Sequence, residues 1–205
     1  EQFPRVTHIL GILDKPGLAR WRGRLGNAEA DKVAKDGSDI GTAFHEVAAQ
    51  VGRGEHQDKF WRPPSDLSEM TTAYINWFHR NIESVQEVEH LVYSNKMVYA
   101  GTMDLYATIR GDSQPSIIDL KTSNAVGPDW PLQLTAYQLA AAELGLPSRR
   151  RIVVRVPKVG KIEVEAYEYR DHEEDAEAWV RTLEMWRWMQ RDKDRTKLAR
   201  VIAGF

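Results

Sequence analysis

Two consecutive stretches of alternating apolar and polar residues, followed by a short apolar stretch, constrain the fold of this 205-residue chain most strongly. Successive side chains of a strand point to opposite faces of a sheet, so such alternation is typical of half-buried strands. Turn-forming residues separate the stretches, among them Gly111-Asp112-Ser113. The pattern predicts strands over 85–93, 96–110 and 115–122.

Helical patterns surround these strands, because apolar residues recur there at intervals of three and four. The predicted helices are 39–54, 67–84, 130–145 and about 171–190, and two further strands are predicted at 151–157 and 161–169. This order predicts an α/β protein with a central mixed β-sheet flanked by helices and a helical N-terminal part. We expect one domain over 1–205, made of a helical part (1–84), a sheet core (85–169) and a C-terminal helix (170–205).

The composition excludes several classes of site. The sequence contains no cysteine, which excludes disulfides, thiolate nucleophiles, iron–sulfur clusters and cysteine-bound zinc, and suits a cytoplasmic protein. No apolar run approaches the roughly 20 residues that span a bilayer. The net charge is −2, so any affinity for nucleic acid must come from local basic patches or from a metal ion.

The stretch SIIDLKTSN (116–124) places a carboxylate and an ammonium group on one face of its strand, at Asp119 and Lys121. A hairpin turn centred near 112–113 would put position 104 opposite about 121, so that Asp104 lies within a residue or two of both. Two carboxylates this close repel each other unless a cation lies between them, and carboxylate oxygens favour Mg²⁺ or Mn²⁺. From these residues alone, a solvated surface ion pair remains the alternative to a reaction centre.

Four motifs follow one another in the order GTAFHE (41–46), GTMDL (101–105), IIDLKT (117–122) and QLTAY (133–137). Together they resemble the PD-(D/E)xK nuclease superfamily and, more narrowly, its RecB-like exonuclease branch, which has a restriction-endonuclease-like core. Met103 replaces the proline of the superfamily name, as is common in this branch. Neither iron–sulfur cysteines nor a GxxxxGK[ST] loop is present, so the resemblance is to a compact stand-alone nuclease of phage or small-repair type.

The resemblance implies a role for each matching residue. The metal ligands would be His45, Asp104, Asp119 and the main-chain carbonyl of Leu120, with Glu89 as a further candidate and Glu87 as a weaker one. Lys121 would assist the attacking water, and Gln133 and Tyr137 would position the active site and the substrate phosphate. Each has a plainer interpretation: His45 as a helix histidine, Tyr137 as a core residue, Glu89 as an ordinary strand carboxylate.

Nucleic-acid contacts are predicted where arginines accompany an aromatic residue, because arginine binds phosphates and an aromatic ring stacks on unpaired bases. One such place is Trp21 among Arg20, Arg22 and Arg24, and a second basic run is Arg149–Arg151. The alternative is that Trp21 packs against the protein while the arginines solvate a helix.

These observations lead to a divalent-metal-dependent deoxyribonuclease that uses Mg²⁺ or Mn²⁺. By resemblance we expect an exonuclease acting on single-stranded or end-resected DNA, cytoplasmic, encoded by a virus or bacterium, and serving DNA repair or recombination. The alternatives are a structure-selective endonuclease, a non-catalytic nucleic-acid-binding module of the same fold, and an unrelated α/β protein with surface charges. A recombination or replication partner protein is left open.

Overall fold

The computed structural model describes residues 3–202, with side chains up to residue 191. Within these residues six α-helices and five β-strands follow one another along the chain. Their bounds are α1 Val6–Leu10, α2 Pro16–Leu25, α3 Asn27–Gly52, α4 Ser68–Asn81, β1 Ile82–Ser94, β2 Tyr99–Ile109, β3 Ser116–Lys121, α5 Trp130–Glu143, β4 Arg151–Arg155, β5 Glu165–Glu168 and α6 His172–Ile202. None of the described helices has the length and apolar character needed to cross a membrane.

The five strands form one mixed sheet in the order β1-β2-β3-β4-β5. All neighbours pair antiparallel except β3 and β4, which are parallel and are connected through helix α5. A parallel pair needs such a crossover, whereas antiparallel neighbours can be joined by short turns. The predicted α/β architecture with a central mixed sheet is thus confirmed.

Each face of the sheet carries its own hydrophobic core, because side chains of the central strands alternate between the two. Ile117 and Val153 contribute to the core beneath α1, α5 and α6, which we call the α5-side core. Ile118 and Val154 contribute to the core beneath α3 and α4, which we call the α3-side core. This two-sided burial explains why β3 and β4 are almost continuously apolar in sequence.

Several element boundaries differ from those predicted. Helix α3 begins at Asn27 rather than 39. Residues 27–38 include good helix formers (Ala, Glu and Lys) but no apolar stripe, and hydrophobic spacing does not detect a mostly exposed helical extension. Helix α4 ends at Asn81 and β1 begins at once with Ile82. Helix α6 continues to Ile202 instead of ending near 190.

The strand predictions at 151–157 and 161–169 were too long. The ladder between β4 and β5 ends at the pair Arg155–Glu165. Pro157 lies just beyond, and a proline has no N–H to donate to a continued ladder. The register of the β2–β3 hairpin also differs from the prediction, because Leu105 pairs with Ile118 and the turn therefore centres near 111–112.

Candidate active site

The β2–β3 ladder opens at one end, and polar side chains meet there. Its last pair is Leu105–Ile118, so the next position places Asp104 opposite Asp119 rather than opposite about 121. Instead of a strand–strand hydrogen bond, the Asp104 carboxylate accepts one from the Leu120 amide, with Oδ2 at 2.6 Å. The Leu120 N–H therefore has a hydrogen-bond partner. The role of the Leu120 carbonyl as a metal ligand stays a prediction.

The regular pleat breaks at the same level of the sheet. Leu105 belongs to the α3-side core and Met103 to the α5-side core, although two residues this far apart share a face in a regular strand. On the neighbouring strand, Glu89 lies between two paired positions of the β1–β2 ladder and has a φ of 50°. A left-handed backbone at a non-glycine residue costs of order 1 kcal/mol or more and is frequent at functional sites. Because of this irregular backbone, Asp104 and Glu89 depart from the regular alternation of side chains between the two faces of the sheet.

Helix α3 brings His45 to this place because the helix packs very close to the sheet. A side chain at Gly52 would lie 2.9 Å from Leu105 Cδ1, and one at Gly41 would lie 3.2 Å from Thr122 Oγ1. His45 Nδ1 lies 3.2 Å from Asp104 Oδ1. Burial of the imidazole opposes its protonation, but the hydrogen bond and the charge of Asp104 outweigh this effect, and the pKa of His45 is raised.

His45, Glu89 and Asp104 each direct one ligand atom into a common space, with these atoms all within 4.8 Å of one another. No other group of three histidine, cysteine or acidic residues in the described part of the chain meets this condition. Burial and the nearby Asp104 raise the pKa of Glu89, as expected where carboxylates face each other without a cation. Two carboxylates and an imidazole form a donor set suited to a divalent metal ion, and better to Mn²⁺ than an all-oxygen site would be.

Helix α5 closes the other side through Gln133, which is 6% exposed. Its Nε2 donates to Asp119 Oδ1 and to the Tyr137 hydroxyl, both at 2.9 Å, and its Oε1 accepts from Lys121 Nζ at 3.0 Å. One amide therefore holds a carboxylate, an ammonium group and a phenol in fixed relative positions. Its spacing of four from Tyr137 places both on one face of α5.

Tyr137 approaches the sheet where glycine leaves room. A side chain at Gly101 would lie 2.4 Å from Tyr137 Cε1, so a Cβ there is incompatible with the ring. Burial, followed by the charge of Asp119, raises the pKa of Tyr137. The phenol is therefore a neutral hydrogen-bonding group.

Asp119 and Lys121 form a buried ion pair, with Oδ2 and Nζ 2.6 Å apart. Apart from this ammonium, Asp119 Oδ2 has no partner among the described residues. Burial raises the pKa of Asp119 to about 6 against the opposing effect of Lys121. Burial acts in the opposite sense on Lys121, but Asp119 outweighs it and the pKa of the lysine is raised. The Lys121 ammonium therefore stays charged, and it offsets only part of the cost of burying the charge of Asp119.

The remaining predicted residues lie elsewhere. Asp119 is close enough to influence His45 but is outside the group of His45, Glu89 and Asp104. Glu87 faces His90 Nδ1 at 3.1 Å and is not in that group either. Sequence reasoning missed Asp129, which precedes α5, acts on Lys121 through its charge and binds Lys15 at 2.8 Å. No motif contains it.

The two basic segments differ in their surroundings. Helix α2 has no buried residue, and it exposes Arg20 and Arg24 while Arg22 pairs with Asp31 and Trp21 is half-buried. The prediction of nucleic-acid contacts at Arg149–Arg151 was wrong for Arg151. That side chain is fully buried and binds Asp175 at 2.8 Å, because a charge inside the core requires a partner.

Comparisons with known proteins found two similar solved structures and one protein-family model. One of the structures is a Eubacterium rectale protein described as a "Putative exonuclease", at 9% identity and TM-score 0.42, covering 84% of this chain and 66% of the other. A second is SSO0001, at 16% identity and TM-score 0.41, covering 90% of this chain and 82% of the other. No curated protein matches the sequence. The model of the PD-(D/E)XK nuclease superfamily matches residues 64–197, and the chain therefore belongs to this superfamily of nucleases.

Proposed function

We propose that this nuclease is a divalent-metal-dependent deoxyribonuclease that hydrolyses phosphodiester bonds, with Mg²⁺ or Mn²⁺ as the ion. The observation that carries the proposal is the meeting of two groups at the open end of the β2–β3 ladder. One is the donor set of His45, Glu89 and Asp104, and the other is the buried pair of Asp119 and Lys121. In a solvated surface ion pair the carboxylate would be exposed, whereas Asp119 is only 2% exposed.

The metal ligands in this proposal are His45, Asp104 and Glu89, joined by Asp119 through Oδ2, the oxygen that contacts only the Lys121 ammonium. A bound divalent ion would lower the pKa of a water and neutralise charge on a phosphoryl oxygen. The Leu120 amide fixes one Asp104 oxygen, which leaves the other directed toward His45. The Leu120 N–H therefore orients Asp104 before any ion binds, in the way that hydrogen bonds to metal ligands orient those ligands in metal sites.

Lys121 stabilises the negative charge that develops on the phosphoryl group and polarises the attacking water. Its side chain is 22% exposed, while Asp119 and Gln133 contact the ammonium group. Such preorganised charge is effective because it needs no reorganisation when the reaction occurs. Gln133 and Tyr137 position this lysine and its partner carboxylate.

We propose exonuclease action on single-stranded or end-resected DNA, as in the RecB-like branch. Helix α2 would contact the strand through Arg20, Trp21, Arg22 and Arg24, with the two exposed arginines supplying most of the charge. Supporting this, α2 buries nothing of its own, and Lys15 just before it binds Asp129 beside the start of α5. The helix is therefore tied to the rim of the candidate site.

The test is incubation of end-labelled DNA with Mg²⁺, with Mn²⁺ and with EDTA, comparing 5′ and 3′ labels on single and double strands. A closed circular single strand is included, because an exonuclease needs an end. Metal-dependent release of short labelled products from linear DNA, with the circle intact, is expected. Cleavage of the circle would replace exonuclease by endonuclease, and binding without cleavage in any metal would leave a non-catalytic module.

The contribution of α2 is tested separately with the double substitution Arg20→Ala and Arg24→Ala. Weaker binding and a smaller salt dependence are expected, since each phosphate contact adds to that dependence. Arg80→Ala is the matched control, because Arg80 is exposed on α4, away from the site. Equal binding by both variants would remove α2 from the interface.

A further inference from the structure

Outside the candidate active site, two histidines from different elements bring the same ring nitrogen close together. His56 lies in the short 3-10 turn Glu55–Gln57 that follows α3, and His79 lies in the last turn of α4. Their Nε2 atoms are 3.1 Å apart, with ring centroids 5.1 Å apart and planes inclined by 49°. The motifs of the nuclease superfamily include neither residue.

This separation is that of two imidazoles sharing a metal ion. Metal–nitrogen bonds of about 2.0–2.1 Å put two ligand nitrogens roughly 2.9 Å apart at a right angle and about 3.4 Å apart at the tetrahedral angle. The observed 3.1 Å lies between these limits. A hydrogen bond between the rings would also give this distance. In that arrangement one Nε2 carries a proton, and a metal ion that binds there displaces it.

The surroundings of His56 favour the ligand form of the ring. Its Nδ1 is buried without a well-aligned partner among the described residues, and the Val51 carbonyl acts on the ring as a weak acceptor. A metal-bound imidazole keeps its proton on the other nitrogen and commonly directs it at a backbone carbonyl. Burial, followed by the proximity of His79, lowers the pKa of His56, so the neutral ring predominates at neutral pH.

The two rings are also held in place before any ion binds. His56 packs edge-on against Trp61 and Phe78, each with centroids 6.3 Å away. His79 is on a regular helix, and its carbonyl accepts from Arg110 Nε at 3.3 Å. Two ligands fixed at bonding separation lose little freedom when an ion joins them.

We propose that His56 and His79 form a second metal site, distinct from the candidate active site, for a borderline transition-metal ion such as Zn²⁺, Ni²⁺ or Cu²⁺. Imidazole nitrogens suit these ions, whereas Mg²⁺ requires oxygen ligands. Water supplies the remaining positions on the exposed side of His79. A bound ion joins the turn after α3 to the end of α4 and stabilises the packing of the two helices.

The experiment titrates tag-free protein carrying His45→Ala, which removes the imidazole of the candidate active site, with paramagnetic Ni²⁺ while NMR follows the histidine rings. The signals of His56 and His79 should broaden together and before that of the exposed His172. In the added variant His79→Gln, early broadening of His56 should disappear, and in the control His172→Gln it should persist.

A second readout, on the same His45→Ala chain, is the melting temperature with Zn²⁺, because an ion that binds only the folded state raises it. The rise expected for this chain should be smaller once His79→Gln is added, a change that replaces an exposed side chain. If His56 and His79 broaden no earlier than His172, or if His79→Gln changes neither readout, the two rings share only a hydrogen bond and the proposal is wrong.

Discussion

Replacing Gln133 by Met should separate the hydrogen bonds of the site from its packing. The substitution keeps the length and most of the apolar contacts of the side chain while removing three hydrogen bonds. Two of these join charged partners, Lys121 at 3.0 Å and Asp119 at 2.9 Å, and the third joins the Tyr137 hydroxyl at 2.9 Å. The change therefore removes the link between the sheet and α5 without opening a cavity.

The expected cost follows from the charges involved. A hydrogen bond to a charged group contributes about 1.5–3 kcal/mol net, and a neutral one about 1 kcal/mol. The ion pair between Asp119 and Lys121 persists and compensates part of the loss, so we expect the free energy of unfolding to fall by about 3 kcal/mol. The pKa of Asp119, already about 6 because of burial, should rise further because its charged form loses a donor.

The measurement is urea unfolding of metal-free protein at pH 7.5, compared with Gln138→Met. Gln138 is the same residue type on the same helix, half-buried, and its Nε2 donates to Ser148 Oγ at 3.0 Å. Its replacement breaks neutral hydrogen bonds near the surface and should cost about 1 kcal/mol. An equal loss of stability in the two variants would refute the idea that Gln133 holds a charged network.

Two further predictions concern neighbouring residues. Because the pKa of His45 is raised, its ion pair with Asp104 stabilises the metal-free protein fully below about pH 6.5. This stabilisation is lost as pH rises through the pKa of His45 in the folded protein. The melting temperature of the parent should therefore fall over that pH range, and that of His45→Ala should fall much less. Gly101→Ala should destabilise by about 1–3 kcal/mol and reduce nuclease activity because its Cβ displaces the Tyr137 ring, as measured by melts and DNA degradation. Gly17→Ala, with no atom within 4 Å of the added Cβ, is its control in the melts.

Much of the fold could be predicted because it depends on local pattern. The alternation in β2, the nearly continuous apolar run of β3 and the apolar residues of α5 reflect burial against the two cores, and they identified those elements to within a few residues. The N-terminal half of α3 could not be predicted from spacing, since nearly all of its residues are exposed, Ala30 excepted, and they leave no apolar stripe. Its helix depends on propensity and on continuity with the buried half that carries His45.

The geometry of the site depended on details that sequence does not encode locally. The hairpin register determines whether Asp104 faces position 119 or 121, and a shift of one turn residue changes it by two. The positive φ of Glu89 and the switch of β2 from one core to the other arise from packing of both layers. Burial of Arg151 likewise depends on Asp175, a residue 24 positions away.

The most direct test of the central claim, that the open end of the β2–β3 ladder is a reaction centre, is the degradation rate of Lys121→Met. Removing one preorganised charge commonly costs about 10²–10³ in rate. Turnover of end-labelled single-stranded DNA with Mn²⁺ should fall by that factor, while DNA binding in Ca²⁺ and cooperative unfolding persist. Lys161→Met is the matched control, because Lys161 pairs with Glu163 at 3.1 Å on the exposed surface, and it should degrade DNA at the parental rate. A Lys121→Met protein that also degrades DNA at the parental rate would contradict the account, and the pair of Asp119 and Lys121 would then be structural only.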